Sequence, residues 1–546
     1  MTDPYMNGEC LMKDRLQETT KYLFPVCVAV FALATMLYTI KAVSVNNSSD
    51  PYFKMLILIS LALLLLVGIA YWLIMVRKAS VERIAIPLIL GLGILYMIMI
   101  PANGAPDEKY HLTVAYDVAG EISGWNDGVP HMETVRKVEA EVELREKAIQ
   151  RDYYNEYFPM LKEHGVSNER VDQKYSYNTE VPHIIYLPSA IGIILGRLMR
   201  LGVVPTVMLG RFCNLLVYLL ACYWALKLTP IRKELFLAIM CLPMSLQEAT
   251  AISSDSPIFS MAFFFTGMVI SYLFADKEAI RRGWEEKATG KEKIAAWAKL
   301  IGFAVLSYLL STCKYGACVP ICLMAILIIG RHKTNKKFIY EIAVVVSGSF
   351  LFGFLPSISK AFSSDVLTNQ GVQNYTAAYV LTHPYEMFLL VGNSFNGHMD
   401  RFFYGVLGTE LGWYELRMPY HIGMAMILVL FLLMIGQKRN GGQKTASEKG
   451  GQYQFLRGER FWIILMTLMG LGMAIGGMLV GNTPAGSKTV SGVQGRYLTP
   501  YVFPFLLTLQ PNLIHYEDQE AAHRRILVIY LVLHVFAICC LFLRTR

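Results

Sequence analysis

The stretch "IAIPLILGLGILYMIMIPANGAPDEKYH", residues 84–111, decides the fold. From Ile84 to Pro101 it carries no charged residue, and its apolar residues run on without alternating with polar ones. A helix needs about 20 mostly apolar residues to cross a bilayer. Only helices and closed barrels satisfy the backbone in lipid, and barrel strands alternate. The run therefore reads as a transmembrane helix. Soon after it come Asp107 and Glu108, with His111 one helical turn further on. Two acids and an imidazole where a span ends mark either a helix start or a site at the membrane surface.

Similar windows recur along the chain, at 24–43, 54–76, 205–226, 234–251, 257–275, 297–312, 316–330, 338–359, 420–437, 460–480, 496–511 and 526–543, with 386–406 as a further candidate. Of the 546 residues 54% are hydrophobic and 17% charged, against about 25% charged in ordinary soluble chains. The mean hydropathy is +0.41. The expected fold is an all-α polytopic membrane protein, a bundle of about 13 transmembrane helices with a large first extracytoplasmic loop. The first run has no small-residue cleavage pattern behind it and reads as a retained helix. The ten cysteines fall mostly inside apolar runs and read as small hydrophobes. The formal charge of +9 does not point to nucleic acid, because the basic residues sit in short loops. There is no phosphate-cradling GxxxxGK[ST], no HExxH, no CxxC and no GxSxG.

Lys and Arg collect in cytoplasmic loops. They cluster before the first span, at 77–83, in "KLTPIRK" (227–233), at 277–293, in "RHKTNKK" (331–337) and at 437–451, while 46–52 and 363–378 have none. The N-terminus is therefore expected inside. The pattern stays in phase if 182–202 lies at the outer interface or re-enters, rather than crossing. Loop 102–204 is then extracytoplasmic, and "VRKVEAEVELREKAIQRDYYNEYF" (135–158) reads as a charged helix within it. The expected division is 1–83 with two additional spans, a core of 84–511, and a last span in 512–546. No internal repeat is visible.

This topology gathers unusual residues on one face: Asp107, Glu108 and His111; Tyr177 and Asn178 in "YNTEVPHIIY"; Glu248 and Asp255 in "QEATAISSDS"; Lys314 in "CKYG"; Trp413 in "GTELGWYELRMP"; and Arg496 in "SGVQGRYLTP". Arg211 lies a few residues into a span. Ionisable residues at membrane depth are costly and tend to be functional. Each also has a plainer role. Asp107 and Asp255 suit helix starts, Lys314 and Arg211 suit snorkelling, and Trp413 and the tyrosines at 153, 154 and 157 suit an interfacial belt. Gly492 and Gly495 beside Arg496 point to a close backbone approach.

"PDEKYH", "YNTEVPHIIYLPSAIGIILGRL", "LGRFCNLLVYLL", "CLPMSLQEATAISSDS", "CKYG", "GTELGW" and "VQGRYLTP", in that order, resemble a family of uncharacterised bacterial polytopic membrane proteins grouped with the GT-C glycosyltransferases. The resemblance implies a transferase of the bacterial cytoplasmic membrane, multi-pass, with its active site outside. It would move a sugar from a polyprenyl-phosphate donor to a cell-envelope glycan, its lipid partner being the bilayer itself. It further implies an essential acid in the first outer loop, which falls on Asp107 with Glu108 beside it. His111 would orient the acid or contact the phosphate. Lys314, Arg496, Asp255, Arg211, Tyr177, Asn178 and Trp413 would bind substrate. Some GT-C enzymes use Mg2+ or Mn2+ and others no metal; Asp107 and Glu108, with Asp255, are the available oxygen ligands. The chain departs from the best-known members in its two extra leading spans and in lacking a large soluble domain after the last span, so a protein-sequon acceptor is not expected. Two other classes fit the composition. A lipid-linked saccharide transporter would show polar residues through the middle of spans and broken helices in matching halves, and a glycan-binding scaffold would need no acid at 107.

Overall fold

The computed structural model describes the chain except for residues 1–3, 46–47, 126–131, 147–149, 175–180, 276–288, 333–335, 357–358, 360–372, 438–454 and 510–513. The described chain is mostly helical, with three small two-stranded pairings. Among the described residues eight helices are long and apolar enough to cross a bilayer: Leu23–Ser44, Pro51–Val76, Val81–Met99, Val203–Leu228, Asp255–Leu273, Gly290–Thr312, Arg457–Asn482 and Gln519–Arg544. Each coincides with one of the expected windows.

The other five windows do not form single helices of that length. Window 234–251 breaks into Lys233–Met240 and Pro243–Thr250. Pro243 has no N–H to continue the ladder, and Leu242 before it is forced to ψ 142°. Window 316–330 divides into Val319–Leu323 and Ile326–Arg331, with Pro320 in the first turn. Window 338–359 is the helix Lys336–Ser349 running into a π turn at Phe350–Phe354. Window 420–437 holds a helix of 15 residues, and 496–511 holds a 3-10 turn and a helix of 10. The candidate at 386–406 is helical over Pro384–Leu407.

The third and fourth long helices run antiparallel. A Cβ on Gly93 would touch Leu215, and further along the third span the Ile100 carbonyl accepts from Arg211 Nη1 at 2.6 Å. The segment 182–202 folds back on this same helix. Gly192 abuts Gly210 and Gly196 abuts Thr206, so Leu187–Leu198 and the start of Val203–Leu228 form an antiparallel hairpin. A Cβ on Gly192 would stand 2.4 Å from the Leu209 carbonyl oxygen, so the two backbones meet there. Asp255–Leu273 also packs against Val203–Leu228, and the first helix lies along the last.

The expected charged helix over 135–158 is not there. Met132–Arg136 is a strand paired antiparallel with Arg170–Lys174, Val135 opposite Val171. A five-residue helix (Lys137–Glu141) and a separate helix (Arg151–Met160) follow. The charges that looked solvated are partly inside. Arg136 Nε donates to Glu139 at 2.8 Å and Arg197 Nη2 to the same carboxylate at 2.9 Å, all three side chains buried. Three-way pairing offsets the desolvation that would otherwise forbid them there. Tyr153, Tyr154 and Tyr157 are core residues rather than a belt; Tyr154 donates to the Met99 carbonyl and Tyr157 accepts from Ala102 N–H. Together they seat the loop element on the end of the third span. Cys27, Cys213, Cys222, Cys241, Cys313, Cys318, Cys322, Cys539 and Cys540 are free thiols, mostly buried.

Candidate functional site

A cavity of about 530 Å3 opens where the Asp107 turn, the Asp255 helix start, the Cys313–Gly316 turn, the 409–418 hairpin and the Gly495–Leu498 turn converge. Asp107, Asp255, Lys314, Arg401, Trp413 and Tyr497 line its polar end. Gly470, Ala474, Gly477 and Gly481, on one face of Arg457–Asn482, line its apolar side with Ile258, Phe259 and Ile321.

Asp107 sits in the left-handed region, φ 59° and ψ 10°, a conformation that Asp tolerates better than most residues. Its backbone carbonyl starts the Glu108–Ser123 helix, but its side chain makes no capping bond. The carboxylate is exposed to the cavity and makes no hydrogen bond or ion pair among the described residues. A helix cap would have its oxygen on a backbone N–H; this one points away, into the open space.

Glu108, the next residue, faces the opposite way and is fully buried. Arg211 donates from Nε to Glu108 Oε1 at 2.7 Å and pairs through Nη2 with Oε2. The Ile252 N–H gives Oε1 a further hydrogen bond at 2.9 Å. The remaining Arg211 donors reach the carbonyls of Ile100 and Pro101. Arg211 is therefore neither snorkelling nor on the cavity; with Glu108 it locks the end of the third span to the fourth long helix. His111 also stays off the cavity wall. It shares a 2.7 Å hydrogen bond from Nδ1 with the Tyr186 hydroxyl and stacks on that ring. Burial pushes its pKa down to about 4, with Lys314 and Arg496 adding to the effect and Asp255 opposing it. The imidazole is neutral at physiological pH.

Asp255 is the junction of the site. It does not cap its helix; Lys314 Nζ binds its Oδ1, and Arg496 Nε stands 3.2 Å from its Oδ2. Burial alone would favour a neutral Lys314 amine, but the Asp255 charge beside it holds the pKa above the ordinary lysine value. Lys314 also lies 4.7 Å over the Tyr497 ring. The "CKYG" turn that aims it needs Gly316: φ is 83°, and a Cβ there would stand 2.4 Å from the Phe354 ring. Arg496 lies one layer behind the cavity, 5% exposed, with Nη1 3.3 Å from Glu248 Oε1. Gln247 Nε2 donates to Glu248, and Gln247 Oε1 accepts from the Gly412 N–H at 2.7 Å, beside Trp413. Gly495 permits all this by close approach: a Cβ would meet the Phe402 carbonyl oxygen at 2.0 Å.

Asp107, Asp255, Lys314 and Trp413 are thus brought to one cavity, Arg496 supports it from behind, and Glu108, His111 and Arg211 hold the neighbouring frame. Tyr177 and Asn178 lie outside the described residues. Arg401, Tyr497 and the glycine face were not anticipated. The Asp400–Arg401 pair of charges inside the candidate span 386–406 was the available signal for Arg401. The donors expected for Mg2+ or Mn2+ do not fit one ion: Arg211 and Ile252 take the Glu108 oxygens, and Lys314 and Arg496 flank those of Asp255.

A helical, multi-pass membrane protein with a cavity lined by charged residues and by an apolar, glycine-rich helix face is the class these features define. The family model for DUF2142, a predicted membrane protein, matches residues 90–504, and the chain belongs to that family. No curated protein matches the chain, and no solved structure does.

Proposed function

We propose that the protein is a GT-C-type glycosyltransferase of the bacterial cytoplasmic membrane. In this proposal the Asp107 end of the bundle faces outward, the N-terminus lies inside, and the shorter apolar helices complete about 13 crossings. The supporting observation is the Asp107 carboxylate, unpaired among the described residues, on a cavity that also presents Lys314 and a glycine-lined apolar wall. Asp107 takes the proton of an acceptor hydroxyl as that oxygen bonds to the anomeric carbon. The bond from that carbon to the donor phosphate oxygen breaks, and the leaving polyprenyl phosphate gains negative charge. Lys314 and Arg401 stand where that charge would be stabilised, and the Gly470–Gly481 face receives the first isoprene units. Trp413 offers a face for the sugar. Incubating purified protein with a polyprenyl-phosphate sugar and envelope glycan tests this directly, and envelope analysis of a strain lacking the gene, where the unused donor should accumulate, would name the sugar.

The broken helices at 233–250 and 313–331 also suit a lipid-linked saccharide transporter. Movement of labelled carrier across proteoliposomes without any new glycosidic bond would select that reading instead.

Two further outcomes are expected. A Cβ on Gly477 would meet nothing within 4 Å, so Gly477→Leu should fold normally while filling the wall. The added branched side chain should weaken donor binding about tenfold or more, an expected loss of about 1.4 kcal/mol; unaltered donor titration would separate this wall from the lipid chain. For orientation, Glu163→Cys should react with an impermeant maleimide added outside intact cells, and a cysteine at 291 should not. Labelling of 291 alone would invert the topology.

A further inference from the structure

Asp117 and Glu121 lie four residues apart on the Glu108–Ser123 helix, and His183 opens the 3-10 turn His183–Tyr186 that packs against it. One ligand atom from each lies within 4.8 Å of the other two, and among the described residues no other trio of His, Cys, Asp or Glu does so. Asp117 is buried, while Glu121 and His183 are exposed. Helical spacing puts the two carboxylates on one face of the helix. An imidazole from a second element completes a nitrogen and two oxygens. That donor set suits first-row transition dications, for which imidazole and carboxylate ligands are both common. Ligand atoms bonded to one such ion at about 2.0–2.2 Å stand no more than about 4.4 Å apart. Rotation of the exposed Glu121 and His183 side chains closes the small remaining distance.

The placement gives such an ion a structural effect. Tyr186, at the other end of the 3-10 turn, is the hydrogen-bond partner of His111, which lies on the same helix nearer Asp107. The helix and the turn are thus joined at one point already, and the trio would join them at a second.

We propose that Asp117, Glu121 and His183 form a site for a transition-metal dication of the Mn2+ to Zn2+ series, which fastens the 181–186 turn to the helix that begins at Asp107. This site is separate from the cavity and does not depend on the transferase assignment.

The test uses full-length, tag-free protein in detergent, stripped with chelator and titrated calorimetrically with ZnCl2 and, separately, MnCl2. One ion per chain is expected, with His183→Ala and Glu121→Gln each weakening binding tenfold or more, about 1.4 kcal/mol. Both substitutions are at exposed positions, so folding should be retained. His164→Ala, at an exposed histidine elsewhere in the loop, should leave binding unchanged. Zn2+ should raise the melting temperature of the wild type and not that of Glu121→Gln. Absence of binding at millimolar metal, or stoichiometric binding that survives both His183→Ala and Glu121→Gln, would overturn the site.

Discussion

Asp107→Asn is expected to lower sugar transfer by about 10²–10⁴-fold, the usual cost of losing a positioned general base, while expression and membrane insertion stay close to wild type. The amide keeps the size of the side chain and tolerates the left-handed backbone that residue 107 adopts at φ 59°. Because the carboxylate bonds to nothing in the described structure, no folding contact is lost with it. The measurement is initial rate on purified protein, with donor binding measured in parallel. Wild-type rates in Asp107→Asn would remove the base from the proposal and leave Asp107 as the residue that starts a helix.

The second large effect is on stability. Arg211→Met leaves Glu108 buried with a charge and no cation, and breaking one side of a buried pair typically costs about 3–5 kcal/mol. In the same step the Ile100 carbonyl loses its Arg211 donor, and the Pro101 carbonyl loses one donor while keeping the Gly104 N–H. A pronounced drop in melting temperature in detergent is expected. Adding Glu108→Gln should recover much of it, because a neutral amide is far cheaper to bury than an unpaired carboxylate. If the double variant is no more stable than Arg211→Met alone, the destabilisation comes from packing and not from the orphaned charge.

The helical class was legible because lipid leaves the backbone few solutions, and the continuous apolar runs match the eight long helices. The polar motifs were legible as a set: "PDEKYH", "QEATAISSDS", "CKYG", "GTELGW" and "VQGRYLTP" all contribute to one site. What periodicity could not supply was direction. Adjacent residues 107 and 108 have the same charge, yet one faces the cavity and the other Arg211, and only the left-handed turn at 107 decides which. The charged stretch 135–158 misled for a related reason. Its polar residues suit a solvated helix, but Arg136 pairs with Glu139 inside the protein, and Arg197, some 60 residues on, pairs with the same carboxylate, a tertiary effect that no local pattern records. Hydropathy windows could not place the helix break at Leu242, although Pro243 signals it, whereas the gap left between windows 297–312 and 316–330 coincides with the turn Cys313–Gly316.

The chain of contacts from Lys314 through Asp255, Arg496, Glu248 and Gln247 to Gly412 has a consequence for biosynthesis. The acids are made first, at 248 and 255, and the arginine that compensates both comes about 240 residues later. Until the segment carrying Arg496 docks, a growing chain holds two acids at the membrane boundary with at most one of them paired. A chain interrupted before residue 496 would keep that unmatched charge, so the last part of the site to be synthesised is also the part that balances it.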